Sequence, residues 1–357
     1  MLNLPALPSL PTLTATAVAL LGNPAAEAQL ERVRKAVESM PTRPHLNVIR
    51  IGDDPASVSY TLLKTKKARA VGMSSTLTEL PANTTQEELL ELIQTLNVDP
   101  GTHGILVQLP LPTCSQINQD TVLEAIHPDK DVDGLHTANT GRLWTGQRGL
   151  RPCTAVGILN LLDFYGTSSL EGQHVVIVNA SPLVGKPLAA LMLERLATVT
   201  IAHKATRDLA HVTRQADLLV TATGVLNLIS ASMIKPGAIV IDVSINRIEG
   251  SPKLYGDCQA GVWNVASAVT PVPGGVGPMT VAQLLENTLL AAQRLQQIPC
   301  HQTSNPTLEY NLPSTAQAPI NHSVLNTVFD LLFNAPSPRI PCPTDRLTTP
   351  STSRRSR

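Results

Sequence analysis

The apolar positions of this chain fall into short runs that alternate with amphipathic stretches. Short apolar or alternating runs bounded by turn signals predict strands, and longer stretches with a period of about 3.6 residues predict helices, such as those over 25–40 and 156–164. The predicted strands cover residues 45–52, 75–80, 104–109, 174–178, 198–202, 217–223 and 238–243. Because strand–helix alternation of this kind is typical of a largely parallel sheet with helices on both faces, we predict an α/β fold.

The two ends of the chain depart from this pattern. Residues 1–24 are rich in Leu, Pro and Thr, and we predict an irregular lead-in there. Pro, Ser, Thr and Asn dominate residues 298–357, where only 324–333 has the pattern of a helix. Such a composition cannot bury enough apolar surface to offset the entropy of the chain, so we expect a mostly disordered tail.

Two segments have the form of a capping box, in which an N-cap Thr is followed three residues later by Glu or Gln. Thr85 with Glu88 predicts one helix start, and Thr280 with Gln283 predicts the start of a long helix that ends near residue 295. Because residues 271–279 are rich in Gly and Pro, we predict a loop of fixed shape that exposes its backbone.

Composition and charge narrow the functional classes. The 27 Lys and Arg balance the 27 Asp and Glu in the 357 residues, so nothing favours nucleic acid or an anionic membrane surface as a partner. The 5 cysteines are scattered, which argues against a zinc site or a disulfide framework and fits a reducing compartment. No apolar run approaches the roughly 20 residues that span a bilayer, and the N-terminal segment lacks the basic residues of a targeting signal, so a cytoplasmic protein is expected.

The stretch 55–67 carries the first candidate chemistry. Tyr60 and Lys64 stand four residues apart, so on a helix both side chains lie on one face. A phenol can hold a neighbouring amine by a hydrogen bond, which suits acid–base work by a lysine of shifted pKa. Tyr60 is also the only Phe, Trp or Tyr from residue 1 to residue 143, so its ring is a candidate for stacking on a flat ligand. The alternative interpretation is an exposed helix with solvated lysines.

Polar residues that follow apolar segments are further candidates. Gln108 ends the buried strand predicted at 104–109, and open α/β sheets place ligand contacts at that end of their strands. Asp133 lies in the tight loop 130–134, where a carboxylate can bind an amidine-like edge through two parallel hydrogen bonds. The alternatives are a strand that simply becomes polar at its end and an ordinary Asp-Gly turn.

A strand–turn–helix segment in the second half has the context of a dinucleotide-binding turn. The strand runs into Asn179, Ala180 and Ser181, and Gly185 follows ahead of a helix. In this context backbone N–H groups and the helix N-terminus bind a pyrophosphate. Asn179 stands where a glycine is usual, and asparagine tolerates a left-handed φ better than most residues. A P-loop is excluded because Ala180 and Pro187 replace its first glycine and its Mg²⁺-binding Ser or Thr.

The next predicted strand ends at Ala202 and is followed by His203 and Lys204. In a dinucleotide site an acidic residue at this place binds the ribose 2′-hydroxyl of NAD. The nearest acidic residue that follows is Asp208. Lys204 suits a 2′-phosphate, which favours NADP over NAD, and the alternative is a solvated lysine.

Taken together, the motifs of this chain resemble those of the bifunctional methylenetetrahydrofolate dehydrogenase/methenyltetrahydrofolate cyclohydrolase family. In chain order they are ASVSYTLLKTKKARAVGM, GILVQLPLP, KDVDGLHTANTGRL, PCTAVGILNLL, SPLVGKP, KPGAIVIDVSIN and TPVPGGVGPMTVAQLLENT. The resemblance covers roughly residues 25–295, and the shared order of the motifs makes it specific.

The resemblance implies an N-terminal α/β catalytic domain and a Rossmann-like NADP-binding domain, with a folate cleft between them. The implied catalytic and folate domain covers 25–153 plus 280–297, and the implied NADP-binding domain covers 154–279. The resemblance also implies a homodimer, NADP as the hydride acceptor, and a place in one-carbon metabolism that serves purine biosynthesis.

The resemblance further implies roles for individual residues. It places catalysis at Lys64, partnered by Tyr60 and tuned by Gln108. It places the folate against Tyr60, Asp133, Pro271, Gly274 and Gly275. It places the cofactor against Asn179, Ala180, Ser181, Gly185, Lys204, Thr223 and Ile245. No metal is implied.

Four residues depart from the family pattern, and they leave alternatives open. Asn179 and Ser244 stand where the family usually has glycine, and Cys258-Gln259 replaces the usual Val-Asp. One alternative is therefore a folate- and NADP-binding protein whose dehydrogenase site is weakened and which retains mainly cyclohydrolase activity. Another is a Rossmann dehydrogenase for a different substrate, which the combination of motifs disfavours.

Overall fold

Two parallel β-sheets, each packed against helices, make up the part of the chain that the structure describes. This computed structural model describes residues 17–112, 116–248, 251 and 253–296. In chain order the strands are β1 (Val18–Ala19), β2 (His45–Ile51), β3 (Ser74–Leu80), β4 (Gly104–Val107), β5 (His174–Val178), β6 (Thr198–Ala202), β7 (Leu218–Thr221), β8 (Ile239–Asp242), β9 (Asn246–Arg247), β10 (Leu254–Tyr255) and β11 (Ala268–Val269). The α-helices are α1 (Gly22–Glu38), α2 (Pro55–Ala70), α3 (Gln86–Val98), α4 (Gln119–Ala125), α5 (Thr137–Trp144), α6 (Cys153–Phe164), α7 (Gly185–Glu194), α8 (Leu209–Thr213) and α9 (Val276–Leu295).

The predicted α/β class is confirmed by the topology of the two sheets. The smaller sheet has the strand order β3-β2-β4, and the larger sheet has the order β1-β11-β8-β7-β5-β6. Every pair in both sheets is parallel, whereas β9 and β10 form a separate antiparallel pair. Because the carboxyl ends of parallel strands lie at one edge, each sheet gathers there the residues that follow its strands.

Local sequence explains where the helices next to the site begin. The Asp54 carboxylate caps α2 by accepting a hydrogen bond from the Ser57 N–H at 2.8 Å, and Pro55 occupies the first helical position. After α2, Gly72 takes a φ of 87°, which favours glycine. The capping box of Thr85 and Glu88 at the start of α3 is confirmed, with both reciprocal hydrogen bonds formed.

One apolar core joins the two lobes that the sheets define. It contains Val48 of the smaller sheet and Ile177 of the larger one, together with side chains of α1, α6 and α9. A second cluster lies on the other face of the smaller sheet, where Ile49 and Ile105 belong with residues of α3 such as Ile93. The three helices α1, α6 and α9 pack against one another and hold the lobes together.

A buried carboxamide links α9 to the segment that crosses between the lobes. The Nδ2 atom of Asn287 donates to the carbonyl of Val132 at 2.8 Å and to that of Arg151 at 2.9 Å. Its Oδ1 atom accepts from Gln283 Nε2 at 3.0 Å. Since Asn287 is only 1% exposed, these bonds satisfy groups that water cannot reach.

The first described residues differ from the prediction. Residues 17–24 were expected to belong to an irregular lead-in, but they form β1 and the start of α1. β1 pairs in parallel with β11, with Val18 opposite Ala268. Because the partner strand lies far along the chain, local sequence carries no signal for this pairing.

The capping box predicted at Thr280 is wrong. α9 begins at Val276, so Thr280 lies inside the helix and its hydroxyl lies 3.4 Å from that of Thr154. Pro278 fits the first turn because N–H groups there have no partner within the helix. The Gly- and Pro-rich loop therefore ends at Gly275 and is shorter than predicted.

The predicted tail, 298–357, and the helix expected at 324–333 lie outside the described residues. Within the described ranges, every helix is too short or too polar to cross a bilayer.

We predict that Asn287→Leu lowers the free energy of unfolding by about 2–5 kcal/mol, because it leaves the carbonyls of Val132 and Arg151 buried without a donor. Urea denaturation measures the change. The same substitution at exposed Asn264, as a control, should change the free energy by less than about 0.5 kcal/mol. Equal effects at the two positions would contradict a structural role for the Asn287 carboxamide.

Candidate active site

A cavity of about 240 Å³ opens between α2 and the carboxyl edge of the larger sheet. Tyr60, Leu63 and Lys67 line it from α2, one turn apart. Residues 242–245, which end and follow β8, and residues 271–278, which follow β11, line the opposite side. The cavity therefore brings together Tyr60, Ile245 and the Gly- and Pro-rich loop with the predicted residues Pro271, Gly274 and Gly275.

Lys64 and Gln108 meet at the carboxyl end of β4. The Lys64 ammonium donates to Gln108 Oε1 at 2.9 Å, and the Gln108 amide nitrogen donates to the carbonyl of Leu109. Burial lowers the pKa of Lys64, and the negative charge of Asp133 opposes this shift only in part. A lysine with a lowered pKa can exchange a proton near neutral pH more readily than a surface lysine.

Asp133 shares this environment with Lys64, whereas the other carboxylate of its loop does not. Asp131 is buried and accepts from the N–H of Gly134 at 3.1 Å, from the N–H of His136 at 2.9 Å and from Asn139 Nδ2 at 2.9 Å. These bonds fix the loop, while Asp133 acts electrostatically on Lys64. Asp131 therefore shapes the loop, and Asp133 is the carboxylate whose charge acts on Lys64.

The predicted hydrogen bond between Tyr60 and Lys64 is absent from the hydrogen bonds of the described residues. The two side chains take different directions from α2, because Tyr60 lines the cavity and Lys64 reaches toward Gln108. Burial raises the pKa of the Tyr60 phenol, so the ring enters the site as a neutral group. The spacing of four residues places Tyr60 and Lys64 on one side of the helix. The Lys64 amine nevertheless binds Gln108, at the end of β4, instead of the Tyr60 phenol.

The Gly- and Pro-rich loop owes its shape to close backbone contacts. The N–H of Gly22, at the start of α1, donates to the carbonyl of Gly274 at 2.7 Å. A Cβ atom on Gly22 would lie 1.7 Å from the carbonyl oxygen of Gly275, and Gly274 has a φ of 104°. Glycine is therefore required on both sides of this contact, which sets the wall of the cavity.

The turn after β5 is organised by the side chain of Asn179. Its Oδ1 atom accepts from the Ser181 N–H at 2.8 Å, from the Ser181 hydroxyl at 2.7 Å and from the Gly185 N–H at 2.9 Å. Its Nδ2 atom donates to the carbonyl of Ala222, after β7, at 2.6 Å. Asn179 is not among the residues with a positive φ, so the reason that we predicted for asparagine here is wrong. The residue acts through its carboxamide rather than its backbone conformation.

The other predicted cofactor residues follow neighbouring strands. Lys204 follows β6 and is exposed, Thr223 follows β7, and Ile245 follows β8. Ala180 lies beside Asn179 at the end of β5. Because β8, β7, β5 and β6 are consecutive in a parallel sheet, the structure brings all of these residues to one edge. Arg207, three positions after Lys204, is a second exposed cation that the sequence reasoning missed.

Comparison with known protein families decides which family has this arrangement. The model of the tetrahydrofolate dehydrogenase/cyclohydrolase catalytic domain matches residues 20–133, and the model of the NAD(P)-binding domain of the same enzymes matches residues 152–296. The chain belongs to the tetrahydrofolate dehydrogenase/cyclohydrolase family. The first matched segment contains the smaller sheet, and the second contains every strand of the larger sheet except β1, so the two-domain architecture is confirmed.

Individual relatives agree with the family. The bifunctional protein FolD of Thermus thermophilus is 54% identical over 273 residues, which are 76% of this chain and 95% of that protein. The crystal structure of the FolD enzyme from Campylobacter jejuni is 45% identical, with a TM-score of 0.75 over 78% of this chain and 99% of that one. The FolD enzyme of Trypanosoma brucei, complexed with NADP cofactor and inhibitor, is 37% identical, with a TM-score of 0.73 over 78% of this chain and 98% of that one.

The departures from the usual family residues are accommodated by hydrogen bonds. The Ser244 hydroxyl donates to Asp257 Oδ2 at 2.9 Å and accepts from the Gly224 N–H at 3.0 Å. The Cys258 N–H donates to Asp242 at 2.8 Å, and Gln259 Nε2 donates to the carbonyl of Asn227 at 2.9 Å. None of these side chains disrupts the carboxyl edge of the larger sheet.

Sequence reasoning also missed Cys153 and Asp242. Cys153 is buried beside Asp133 and Lys64, donates to the carbonyl of Val132, and has a pKa that burial and the Asp133 charge raise. Asp242 lines the cavity at the end of β8, and burial raises its pKa. Asp242 could have been predicted, because it is a carboxylate at the end of an apolar strand. The residues around Cys153 give no comparable indication of a site. Within the described ranges, no three His, Cys, Asp or Glu residues form a metal-binding group.

We predict that Gln108→Glu raises the pKa of Lys64 by about 1–3 units, because a carboxylate replaces a neutral acceptor next to the ammonium. Amine acylation as a function of pH, followed by peptide mass spectrometry, measures it. The wild-type midpoint should lie below that of exposed lysines, and the variant midpoint should lie above the wild-type one. The same change at exposed Gln173 should leave Lys64 unaffected, and an unshifted midpoint in Gln108→Glu would contradict the contact.

Proposed function

We propose that the chain oxidises 5,10-methylenetetrahydrofolate to 5,10-methenyltetrahydrofolate with NADP⁺ and then hydrolyses that product to 10-formyltetrahydrofolate. The observation that carries the proposal is the half-buried Lys64–Gln108 pair, whose lysine belongs to α2, a helix that also lines, through Tyr60, the cavity at the carboxyl edge of the larger sheet. Assays of purified protein with methylenetetrahydrofolate and either NADP⁺ or NAD⁺, followed by the absorbance of the reduced cofactor, test it. Absence of turnover with both cofactors would refute it.

The turn after β5 fits a dinucleotide. The backbone N–H groups of Ala180 and Leu183 donate to no described residue, so they are available to a pyrophosphate. A Cβ atom on Gly185 would lie 1.9 Å from the carbonyl oxygen of Asn179, so the helix can approach the strand this closely only with glycine. Lys204, exposed after β6, would hold the 2′-phosphate, and Thr223 and Ile245 would border the rest of the cofactor.

For the first reaction, the chain supplies binding and orientation. NADP, when bound, supplies a hydride acceptor at nicotinamide C4. Tyr60 would stack on the folate ring system, and Asp133 would bind the edge of the pterin. The wall formed by Pro271, Gly274 and Gly275 would hold the folate against the carboxyl edge of the larger sheet, so the hydride transfer becomes effectively intramolecular.

For the second reaction, Lys64 would move protons. Water adds to the methenyl carbon, and the ring then opens to the formyl product. Gln108 holds the Lys64 amine at a defined position, and burial keeps part of its population neutral at lower pH than a surface lysine. The same amine can therefore accept a proton from the attacking water and return it as the ring opens.

The alternative of a weakened dehydrogenase site is not favoured. It depended on Asn179, Ser244 and Gln259, and each of these side chains makes hydrogen bonds that hold its own loop. A Rossmann dehydrogenase for an unrelated substrate is not supported either, because both family models describe tetrahydrofolate enzymes.

Several finer assignments are part of this proposal. We assign the folate domain to 25–153 plus 280–297 and the NADP-binding domain to 154–279; α9 packs on α1 of the first and on α6 of the second. A homodimer in the cytoplasm, serving one-carbon metabolism and purine biosynthesis, fits the proposed activity. Sedimentation equilibrium tests the dimer.

We predict that Lys64→Ala lowers the cyclohydrolase rate by about 100-fold or more, because it removes the proton carrier. The fold and folate binding should persist, since the Lys64 side chain contributes a single hydrogen bond, to Gln108. Hydrolysis of methenyltetrahydrofolate, followed by its absorbance, and circular dichroism measure both effects. Lys66→Ala, at an exposed position of the same helix, serves as the control, and full activity in Lys64→Ala would remove the central assignment.

We predict that Lys204→Asp weakens NADP⁺ binding by about 10- to 100-fold and leaves NAD⁺ binding nearly unchanged, because it replaces a partner of the 2′-phosphate with a like charge. Isothermal titration with each cofactor measures the ratio. Lys66→Asp makes the same charge change on the other lobe and should not alter that ratio. Equal losses for both cofactors in Lys204→Asp would reject a phosphate contact there.

A further inference from the structure

Asp257 is a buried carboxylate that the proposed chemistry does not use. It is 0% exposed, and no Lys, Arg or His of the described residues forms an ion pair with it. Its Oδ2 atom accepts from the Thr221 hydroxyl at 2.7 Å, the Thr223 N–H and hydroxyl at 2.8 Å each, and the Ser244 hydroxyl at 2.9 Å. Its Oδ1 atom accepts from the Val225 N–H at 3.1 Å and Asn246 Nδ2 at 3.3 Å.

This pattern is unusual for a group that only fills space. Burying a charge without an opposite charge is unfavourable, and here neutral donors alone offset it. The donors come from two segments at the ends of neighbouring strands, 221–225 at the end of β7 and 244–246 after β8. Ser244 connects these segments a second time, since its hydroxyl accepts from the Gly224 N–H. Asp257 therefore sets the distance between the two strand ends.

The strand order indicates which part of a dinucleotide lies over these segments. From β5 the chain goes to β6 on one side and then returns to β7 on the other, so the order reverses between β5 and β7. Dinucleotides bind across such a reversal, with the pyrophosphate at the first turn and the adenosine ribose near the next strand in the chain. The adenosine half of a bound dinucleotide would then lie toward β6 and Lys204. Its nicotinamide half would lie over the ends of β7 and β8, beside the cavity that Tyr60 lines.

We propose that Asp257 is a positioning residue for hydride transfer, which holds the 221–225 and 244–246 segments at the spacing that places nicotinamide C4 against the folate. It acts through Thr223 and Ser244 and touches neither substrate. The inference rests on the proposed function, because it assumes that this edge binds the nicotinamide.

The two activities of the chain should depend differently on Asp257. Hydride transfer requires the nicotinamide and the folate to be aligned, and displacing one of them by about 1 Å can lower the rate on the order of 100-fold. Hydrolysis depends on Lys64 and Gln108, which belong to the other lobe and make no contact with Asp257. A change confined to the ends of β7 and β8 should therefore slow the first reaction and spare the second.

The test is Asp257→Asn, which keeps the size of the side chain but turns an amide group toward hydrogen-bond donors. At saturating NADP⁺ and folate, the dehydrogenase kcat should fall about 10- to 100-fold, while the cyclohydrolase kcat stays within about twofold of wild type. Both are measured on the full chain, below the melting temperature of the variant. A purely structural role would lower the melting temperature and leave the ratio of the two activities unchanged, and that result would overturn the inference.

Two further variants keep the test decisive. Ser244→Ala removes one donor to Asp257 and should lower the dehydrogenase kcat by about two- to fivefold. If Asp257→Asn does not fold, an unchanged dehydrogenase kcat in Ser244→Ala overturns the inference. Asp217→Asn is the matched control, because this carboxylate also accepts a backbone N–H but lies at the amino end of β7. It should change neither rate. Wild-type protein with neither activity would refute the proposed function, and the inference with it, whereas an active wild type with an unaffected Asp257→Asn refutes the inference alone.

Discussion

The packing of α1, α6 and α9 into one core between two sheets is the constraint on which the candidate site depends. These helices hold the lobes so that α2 faces the carboxyl ends of β8 and β11 across a cavity. The Asn287 carboxamide, bound to carbonyls on both sides of the crossing segment, adds a directional bond to this apolar contact. Weaker packing between the lobes would leave each sheet intact but would separate the Lys64 amine of one lobe from the carboxyl edge of the larger sheet in the other.

Burial gives the polar groups of the site their properties. Lys64 has a lowered pKa because its ammonium is removed from water, while the Gln108 carboxamide satisfies one of its protons without adding charge. Asp257 presents the opposite case, a buried anion satisfied only by neutral donors. Both arrangements cost stability relative to apolar residues of similar size, and both occur at carboxyl ends of strands, where a ligand would bind.

Much of the site could be predicted from residue type and order along the chain. The apolar runs located the strands, and parallel topology then required Gln108, Asn179, Thr223 and Ile245 to lie at strand ends. Roles within a motif were harder to predict. Asp131 and Asp133 are two positions apart, yet Asp131 accepts hydrogen bonds within its own loop, whereas the charge of Asp133 acts on Lys64. Cys153 enters the same environment from a different helix, so no local pattern could mark it.

The sequence by itself determined the fold class, the family and the inventory of chemical groups, because periodicity, turn residues and motif order are local properties that survive without coordinates. The tertiary structure decided which strands pair, where helices begin and which side chains form hydrogen bonds. It paired β1 with β11, began α9 at Val276, and turned Lys64 toward Gln108 rather than Tyr60. It also gave Asn179 a role through its side chain rather than through its φ. Each of these outcomes depends on contacts between segments that are distant in the chain. The local sequence therefore does not specify which partner is within reach.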